Sequence, residues 1–380
     1  MNSLNTSSLK HILFVGQRRG AATAAAEALQ HAYFIVHEQP LKREPGSYEK
    51  GRLQHSFKQP DLDALIPVIE RAMPHIDAVI PLGEGAVMLA ARLEAHFLKR
   101  PHSVERALDL THKGRMKQRA RAHQIPCADF IIPGDPLPVD WSFPCVVKTA
   151  VGSGSRGLVI AENKATLDQA LQPGWMAERF IAGKEFSVES FVSNGHIVLT
   201  NITDYTEPKW ENVVPAGFES EILQRIEVLN RQVIKAFGIT SGMTHLEVFD
   251  TRRGLMFGEV AHRPPGGFIM DLISTAYALD AWQLYLQCCL NTQDALDVTP
   301  ACFAGVRMMH PGEGDLKGIA GVKEAKALGT VKITKKIGQR LTRREGVGES
   351  AGYLMAQAPY KEQVTGILTR MNQHIHWELG

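Results

Sequence analysis

Apolar and polar positions along the chain follow two alternating patterns. Short continuous apolar runs at residues 12–15, 33–37 and 78–82 fit buried strands. Between them, apolar residues recur at helical spacing. One such segment is the alanine-rich stretch 21–29. A second places Leu65, Ile66, Ile69 and Met73 behind a candidate N-cap, Asp61, and a third covers 86–97. Strands alternating with helices predict a parallel, doubly wound α/β sheet for the first hundred residues. The turn from Gly16 to Gly20 lacks a GxGxxG spacing, so it reads as a plain strand–turn–helix. Residues 1–8 are polar and read as a frayed end.

The texture changes after Pro101. A helix near 113–123 is followed by short strands at 145–148, 158–161, 176–181, 185–191 and 197–202. The alternation from Glu185 through Phe186, Ser187, Val188, Glu189 and Ser190 to Phe191 predicts a half-buried antiparallel strand. An amphipathic helix covers 220–237, strands 243–249 and 256–260, and helices 268–278 and 281–290. The last eighty residues read as small strands, a basic hairpin around 335–344 and a final helix at 361–373. The expected organisation is α/β, then α+β, with domains at 1–105, 106–186, 187–300 and 301–380.

Composition narrows the function classes. With 42 Lys and Arg against 40 Asp and Glu, the net charge is +2, which argues against a nucleic-acid or membrane-surface partner. No run of about 18 apolar residues offers a membrane span. The apolar run at 12–15 is too short for a signal-peptide core and meets Arg18 and Arg19. Cys127, Cys145, Cys288, Cys289 and Cys302 are odd in number and show no CxxC, as expected of reduced thiols in a cytoplasmic protein.

Three groups of residues carry candidate chemistry. Lys148 ends an apolar strand, and Gly152-Ser153-Gly154-Ser155-Arg156-Gly157 begins four residues later. Such a loop folds backbone N–H groups around anionic oxygens, with hydroxyls and a lysine as further donors. It is not a Walker A loop, and the plain alternative is a flexible hairpin. Glu247 and Glu259 each sit inside an apolar strand, where an unpaired charge is costly. On neighbouring strands they would offer two hard oxygen ligands for Mg²⁺, completed by phosphate oxygens. The alternative is a solvated strand face. Arg263 and the Gly266-Gly267 pair favour a site where anions and backbone come close. Glu178 and Glu185 flank a glycine turn that could present both to one adenosine, with surface glutamates as the plain alternative. Among weaker candidates, His245 shares a strand face with Glu247, and Trp210 and Glu211 read as loop residues. Lys335, Lys336, Arg343 and Arg344 read as a solvated hairpin.

In order and spacing, Lys113, Lys148, the glycine loop, Glu178, Glu185, Glu247, Glu259 and Arg263 resemble the ATP-grasp superfamily. The first hundred residues are similar to its preceding α/β domain. The last eighty resemble the C-terminal lid of the L-amino-acid ligase branch. The resemblance implies an ATP-grasp fold with small (lid) and large subdomains at the centre. It implies Lys113 and Lys148 on ATP phosphates and Gly152, Ser153, Gly154, Ser155 and Gly157 closing over them. Glu178 and the backbone after it would meet adenine, and Glu185 the ribose. Glu247 and Glu259 would hold Mg²⁺, as one or two ions, with Mn²⁺ as an alternative. Arg263 would contact the transferred phosphate or acyl-phosphate, with Gly266 and Gly267 beside the acyl substrate. Two positions depart from the pattern. His112 precedes Lys113 where aspartate is commoner, and Ala261 stands where many members carry a metal-binding asparagine.

The implied activity is an ADP-forming carboxylate–amine ligase that activates a carboxylate as an acyl-phosphate and joins amino acids into a dipeptide or amide. Its partners would be small-molecule carboxylates and amines, with a homodimer left open. The rival readings are an ATP-grasp carboxylation or purine-pathway step through carboxyphosphate, and a nucleotide-binding protein without turnover.

Overall fold

The computed structural model describes residues 9–18, 20–154, 157–344, 346 and 348–380. The expected frayed end at 1–8, Arg19, and the loop candidates Ser155 and Arg156 lie outside the described residues.

The first element is a strand, β1 (His11–Val15), followed by α1 (Ala21–Ala28), β2 (Ala32–His37), β3 (Glu49–Gln54), α2 (Leu62–Ala72), β4 (Ala78–Pro81) and α3 (Val87–Phe97). All pairings in its four-stranded sheet are parallel, in the order β3-β2-β1-β4. β1 and β2 are buried along nearly their whole length because helices cover both faces. Ile12, Phe14, Tyr33 and Ile35 pack with the alanines of α1, while Leu13, Val15, Phe34 and Val36 pack with α2 and α3. The Asp61 carboxylate caps α2, accepting from the Ala64 amide at 3.0 Å. β3 escaped the sequence reading because an edge strand rich in Glu, Lys and Arg carries no apolar run.

Two helices, α4 (Ser103–Thr111) and α5 (Lys113–Ala122), lead into a small antiparallel sheet. Its strands are β5 (Phe130–Ile131), β6 (Cys145–Thr149), β7 (Val159–Ala161) and β8 (Trp175–Arg179), in the order β5-β8-β6-β7, with α6 (Lys164–Ala170) inserted before β8. Cys145, Val147, Leu167 and Ala177 form its separate core.

The large sheet begins with β9 (Gly183–Ser193), β10 (His196–Glu207) and β11 (Glu211–Val214). After α7 (Ser220–Ala236) come β12 (Gly242–Thr251) and β13 (Gly254–Ala261), then α8 (Ile269–Tyr277) and α9 (Ala281–Cys289). The rest of the chain supplies β14 (Phe303–Met309), β15 (Gly314–Ala320), α10 (Val322–Lys326), β16 (Thr330–Ile333), β17 (Arg340–Leu341), β18 (Gly352–Ala358), α11 (Lys361–His374) and β19 (His376–Leu379). One eight-stranded sheet runs β13-β12-β9-β10-β11-β14-β18-β16. The boundary expected at residue 300 therefore falls within a sheet: β14 pairs with β11, and the C-terminal segment extends the central one.

Other expectations change too. β17 pairs with β15, so 335–344 is not a self-contained hairpin. Glu211 opens β11 and is buried, so it is not a loop residue, whereas Trp210 sits in the turn before it. β9 is buried on both faces from Phe186 onward: Phe186, Val188 and Val192 pack with α7, and Ser187 and Glu189 join the network described next. Among the described residues no helix is long and apolar enough to cross a membrane, and the five cysteines are unpaired thiols.

Candidate active site

The polar positions of β9, β12 and β13 share one face of the large sheet. Glu247 lies directly across from Glu259, with Ser187 on the other side of Glu247. A regular strand would put residues 257 and 259 on the same face. Here the register shifts after Glu247, and Gly258 is the extra residue. Phe257 therefore enters the core beneath α7 while Glu259 turns to the polar face. A Cβ at Gly258 would approach the Glu247 carbonyl oxygen and the Phe249 ring to 3.0 Å, so the close approach favours glycine.

Negative charge accumulates on this face. Burial pushes the Glu185 carboxyl up to about 7, and the Glu247 and Glu259 carboxylates push in the same direction. For Glu259 burial also acts upward, but Lys113 and Lys148 outweigh it and hold the carboxyl below its ordinary range. One cross-strand pair farther in, Glu189 faces His245 and is completely buried. Glu189 accepts from Ser187 Oγ, Asn201 Nδ2 and Thr203 Oγ1, each at 2.7 Å, and pairs with His245 Nδ1 at 2.9 Å. Burial opposes charge on His245, yet Glu189 and Glu247 lift its pKa to about 9. Its Nε2 is 3.7 Å from Glu247 Oε1. Ala261 is the strand neighbour of His245, so the position lacking a metal-binding side chain lies beside this imidazole.

Lysines approach from the smaller sheet and from α5. Lys113 opens α5, and His112 caps that helix, its Nδ1 accepting from the Arg115 amide at 3.3 Å. Histidine thus fills the capping role that aspartate also performs. Lys113 Nζ is 3.2 Å from Glu259 Oε2 and donates to the Gly152 carbonyl at 2.6 Å, tying α5 to the glycine loop. Gly152, Gly154 and Gly157 have φ of +138°, +78° and +67°, as a loop presenting backbone amides requires. Ser153 is half-buried within it. Lys148 Nζ sits 2.5 Å from Glu178 Oε1, and Lys117 Nζ 2.8 Å from Glu178 Oε2. Burial opposes ionisation of Glu178, but the two ammonium groups hold its carboxyl down at about 2. Its carboxylate is therefore engaged by two lysines. Lys117 was not among the sequence candidates. Its signal was there: four residues after Lys113, it lies one turn along the same helix.

Arg263 follows β13 and is buried, its Nε donating to Glu84 Oε2 at 2.7 Å. Glu84 belongs to the turn before α3, so the first sheet's domain holds the arginine from 179 residues away. The adjoining Pro264 and Pro265 carbonyls accept from Arg18 Nη2 at 3.0 and 2.6 Å. The two glycines that follow behave differently. Gly267 has φ +61°, and a Cβ there would fall 2.6 Å from Asn212 Nδ2, which donates to the Gly267 carbonyl at 3.1 Å. A Cβ on Gly266 meets nothing within 4 Å. Open space beside the pair therefore adjoins Gly266, and Gly267 serves backbone geometry.

A family model described as an ATP-grasp domain matches residues 171–271. Over 250 residues, or 59% of the chain, the sequence is 26% identical to an L-arginine-specific L-amino acid ligase from Bacillus subtilis, and the match spans only 60% of that protein. Among solved structures, an L-amino acid ligase from Bacillus licheniformis superposes with a TM-score of 0.83 at 18% identity, covering 98% of this chain and 99% of that one. An N5-carboxyaminoimidazole ribonucleotide synthetase from Thermotoga maritima superposes with a TM-score of 0.77 at 17% identity, covering 98% and 100%. The structural likenesses establish the ATP-grasp fold.

Proposed function

Starting from this ATP-grasp fold, we propose that the protein is an ADP-forming carboxylate–amine ligase that works through an acyl-phosphate and joins amino acids into a dipeptide or amide. The observation that carries the reading is the facing pair Glu247 and Glu259, with Lys113 paired to Glu259 and Lys148, held by Glu178, near enough for its charge to help lower the Glu259 carboxyl. That arrangement offers a cation site flanked by phosphate-binding ammonium groups.

The residues fit Mg²⁺. Two carboxylates face each other across neighbouring strands, and their charge adds to the upward push that burial gives Glu185. Mg²⁺ keeps several waters and takes phosphate oxygens as further ligands, so a carboxylate pair is donor set enough. Glu247 and Glu259 would hold it. When bound, it supplies charge neutralisation for phosphoryl transfer.

The protein's own groups account for the rest. Lys113, Lys148 and the amides of the glycine loop would bind the phosphates of ATP, and Glu185 the ribose. Arg263, fixed by Glu84, would orient the substrate carboxylate and stabilise the charge on the transferring phosphoryl group. The carboxylate oxygen attacks the γ-phosphorus, ADP leaves, and the amine then displaces phosphate from the acyl carbon. The loop would exclude water while the mixed anhydride exists. A second reading, carboxyphosphate chemistry, is favoured by the likeness to the carboxyaminoimidazole ribonucleotide synthetase.

Pairwise amino-acid incubations with Mg-ATP, read by ADP release and mass spectrometry, separate these readings. Ligation predicts ADP and a product heavier by one residue. ADP release with bicarbonate and no amino acid would favour carboxyphosphate. Tight ATP binding without ADP from any pair would overturn the assignment of turnover.

A further inference from the structure

Away from the lysines and carboxylates of the site lies a cavity of about 90 Å³ between the first domain and the large sheet. One wall is a single face of α4, formed by Ser103, Arg106, Ala107 and Leu110, spaced i, i+3, i+4 and i+7. The opposing wall is a face of α3 that includes Val87, Ala90 and Ala91. Val87, Ala91 and Ala107 pack together where the two helices meet beside the cavity. The far side is closed by Gly242, His262, Tyr285 and Cys289.

We infer that this cavity is a second ligand site that takes a small aliphatic carboxylate. Size is the first argument. A water needs roughly 10–15 Å³ of such volume, so the cavity admits a molecule of about six heavy atoms.

Polarity is the second. Ser103 is 3% exposed, and its Oγ has no hydrogen-bond partner, an unmet cost for a buried hydroxyl. At the rim Arg100 and Arg106 share a single carboxylate, Glu94, and Arg106 reaches it with one Nη2 at 3.4 Å. The rim thus carries a surplus positive charge. The other carboxylate on the wall, Asp77, is already committed to the His11 amide and His75. An anionic head would meet the Ser103 hydroxyl, the remaining Arg106 donors and the N-terminal end of α4. An aliphatic tail would lie on Val87, Ala90, Ala91 and Leu110. His262 ties the site to the chemistry, because it lines the cavity and Arg263 is the next residue.

Isobutyrate is the probe, with binding measured by calorimetry on the full chain, wild type and variants. Ala91→Leu fills the cavity without touching the residues assigned to catalysis. Wild type is expected to bind saturably and Ala91→Leu to bind at least about tenfold more weakly, with ADP-forming turnover unchanged. Ser103→Ala removes one hydroxyl and is expected to weaken binding severalfold. Should Ala91→Leu fail to fold, Ser103→Ala decides alone. Absence of saturable binding by wild type, or equal binding by wild type and the folded variants, overturns the inference. Because calorimetry needs no turnover, the result is independent of the proposed reaction.

Discussion

Replacing Glu178 with glutamine removes the charge that the buried Lys117 and the half-buried Lys148 share. The carboxylate lies 2.8 Å from Lys117 and 2.5 Å from Lys148, and its side chain is 9% exposed. Glutamine keeps the shape but offers one neutral acceptor to two ammonium groups. The magnitude follows from the pKa: a fall from 4.5 to about 2 corresponds to ~3 kcal/mol of stability at neutral pH. Removing one partner of a buried ion pair costs about 3–5 kcal/mol by a separate route, so the two agree. The sign is fixed by the depressed pKa. The contribution is complete above the unfolded value and is lost as pH falls toward 2, with roughly 1 kcal/mol gone by pH 4. Urea unfolding followed by tryptophan fluorescence at pH 7 and pH 4 checks both points. The Glu178→Gln protein should be about 3 kcal/mol less stable at pH 7, with a smaller gap at pH 4. Its KM for ATP should also rise, because Lys148 loses its anchor. A variant within about 1 kcal/mol of wild type at pH 7, or a gap that does not narrow on acidification, would refute the buried-bridge account.

Glu259→Gln should fold normally but require much higher Mg²⁺ for ADP formation, since it removes one of the two proposed anionic ligands; near wild-type rates at low Mg²⁺ would count against the metal assignment. Glu189→Gln should let His245 titrate well below the value of about 9 it reaches beside the carboxylate. A raised histidine pKa stabilises below its unfolded value, and that contribution is lost as pH rises through 9, so the gap between wild type and variant should close in alkali; unchanged imidazole NMR titration would sink the idea. Gly267→Ala should cost roughly 1–2 kcal/mol in a thermal melt because φ is +61°. Gly266→Ala should melt like wild type, and Gly266→Leu should shift acyl-donor preference toward smaller side chains; equal melting of the two alanine variants would show that the glycines do not differ.

Much of the candidate site could be proposed from the chain because its signals are local. Apolar runs at 12–15, 33–37 and 78–82 marked strands whose burial depends only on being covered on both faces. Lys148 with its glycine loop, and Glu247 and Glu259 inside apolar strands, violate local burial rules in a way that a linear reading detects. Among the missed elements, β3 and α6 are short and partly to largely exposed, so their periodicity is weak. What tertiary structure alone decided depends on pairing between distant residues. The sheet register put Glu247 opposite Glu259, and the Gly258 bulge turned Glu259 away from Phe257. The pairing of β11 with β14 made the C-terminal segment part of the central sheet. Glu84 reached Arg263 across 179 residues, and Glu178 became the bridge between Lys117 and Lys148. A carboxylate in the sequence declares its charge, but the cation that compensates it is set by register and packing, which have no period along the chain.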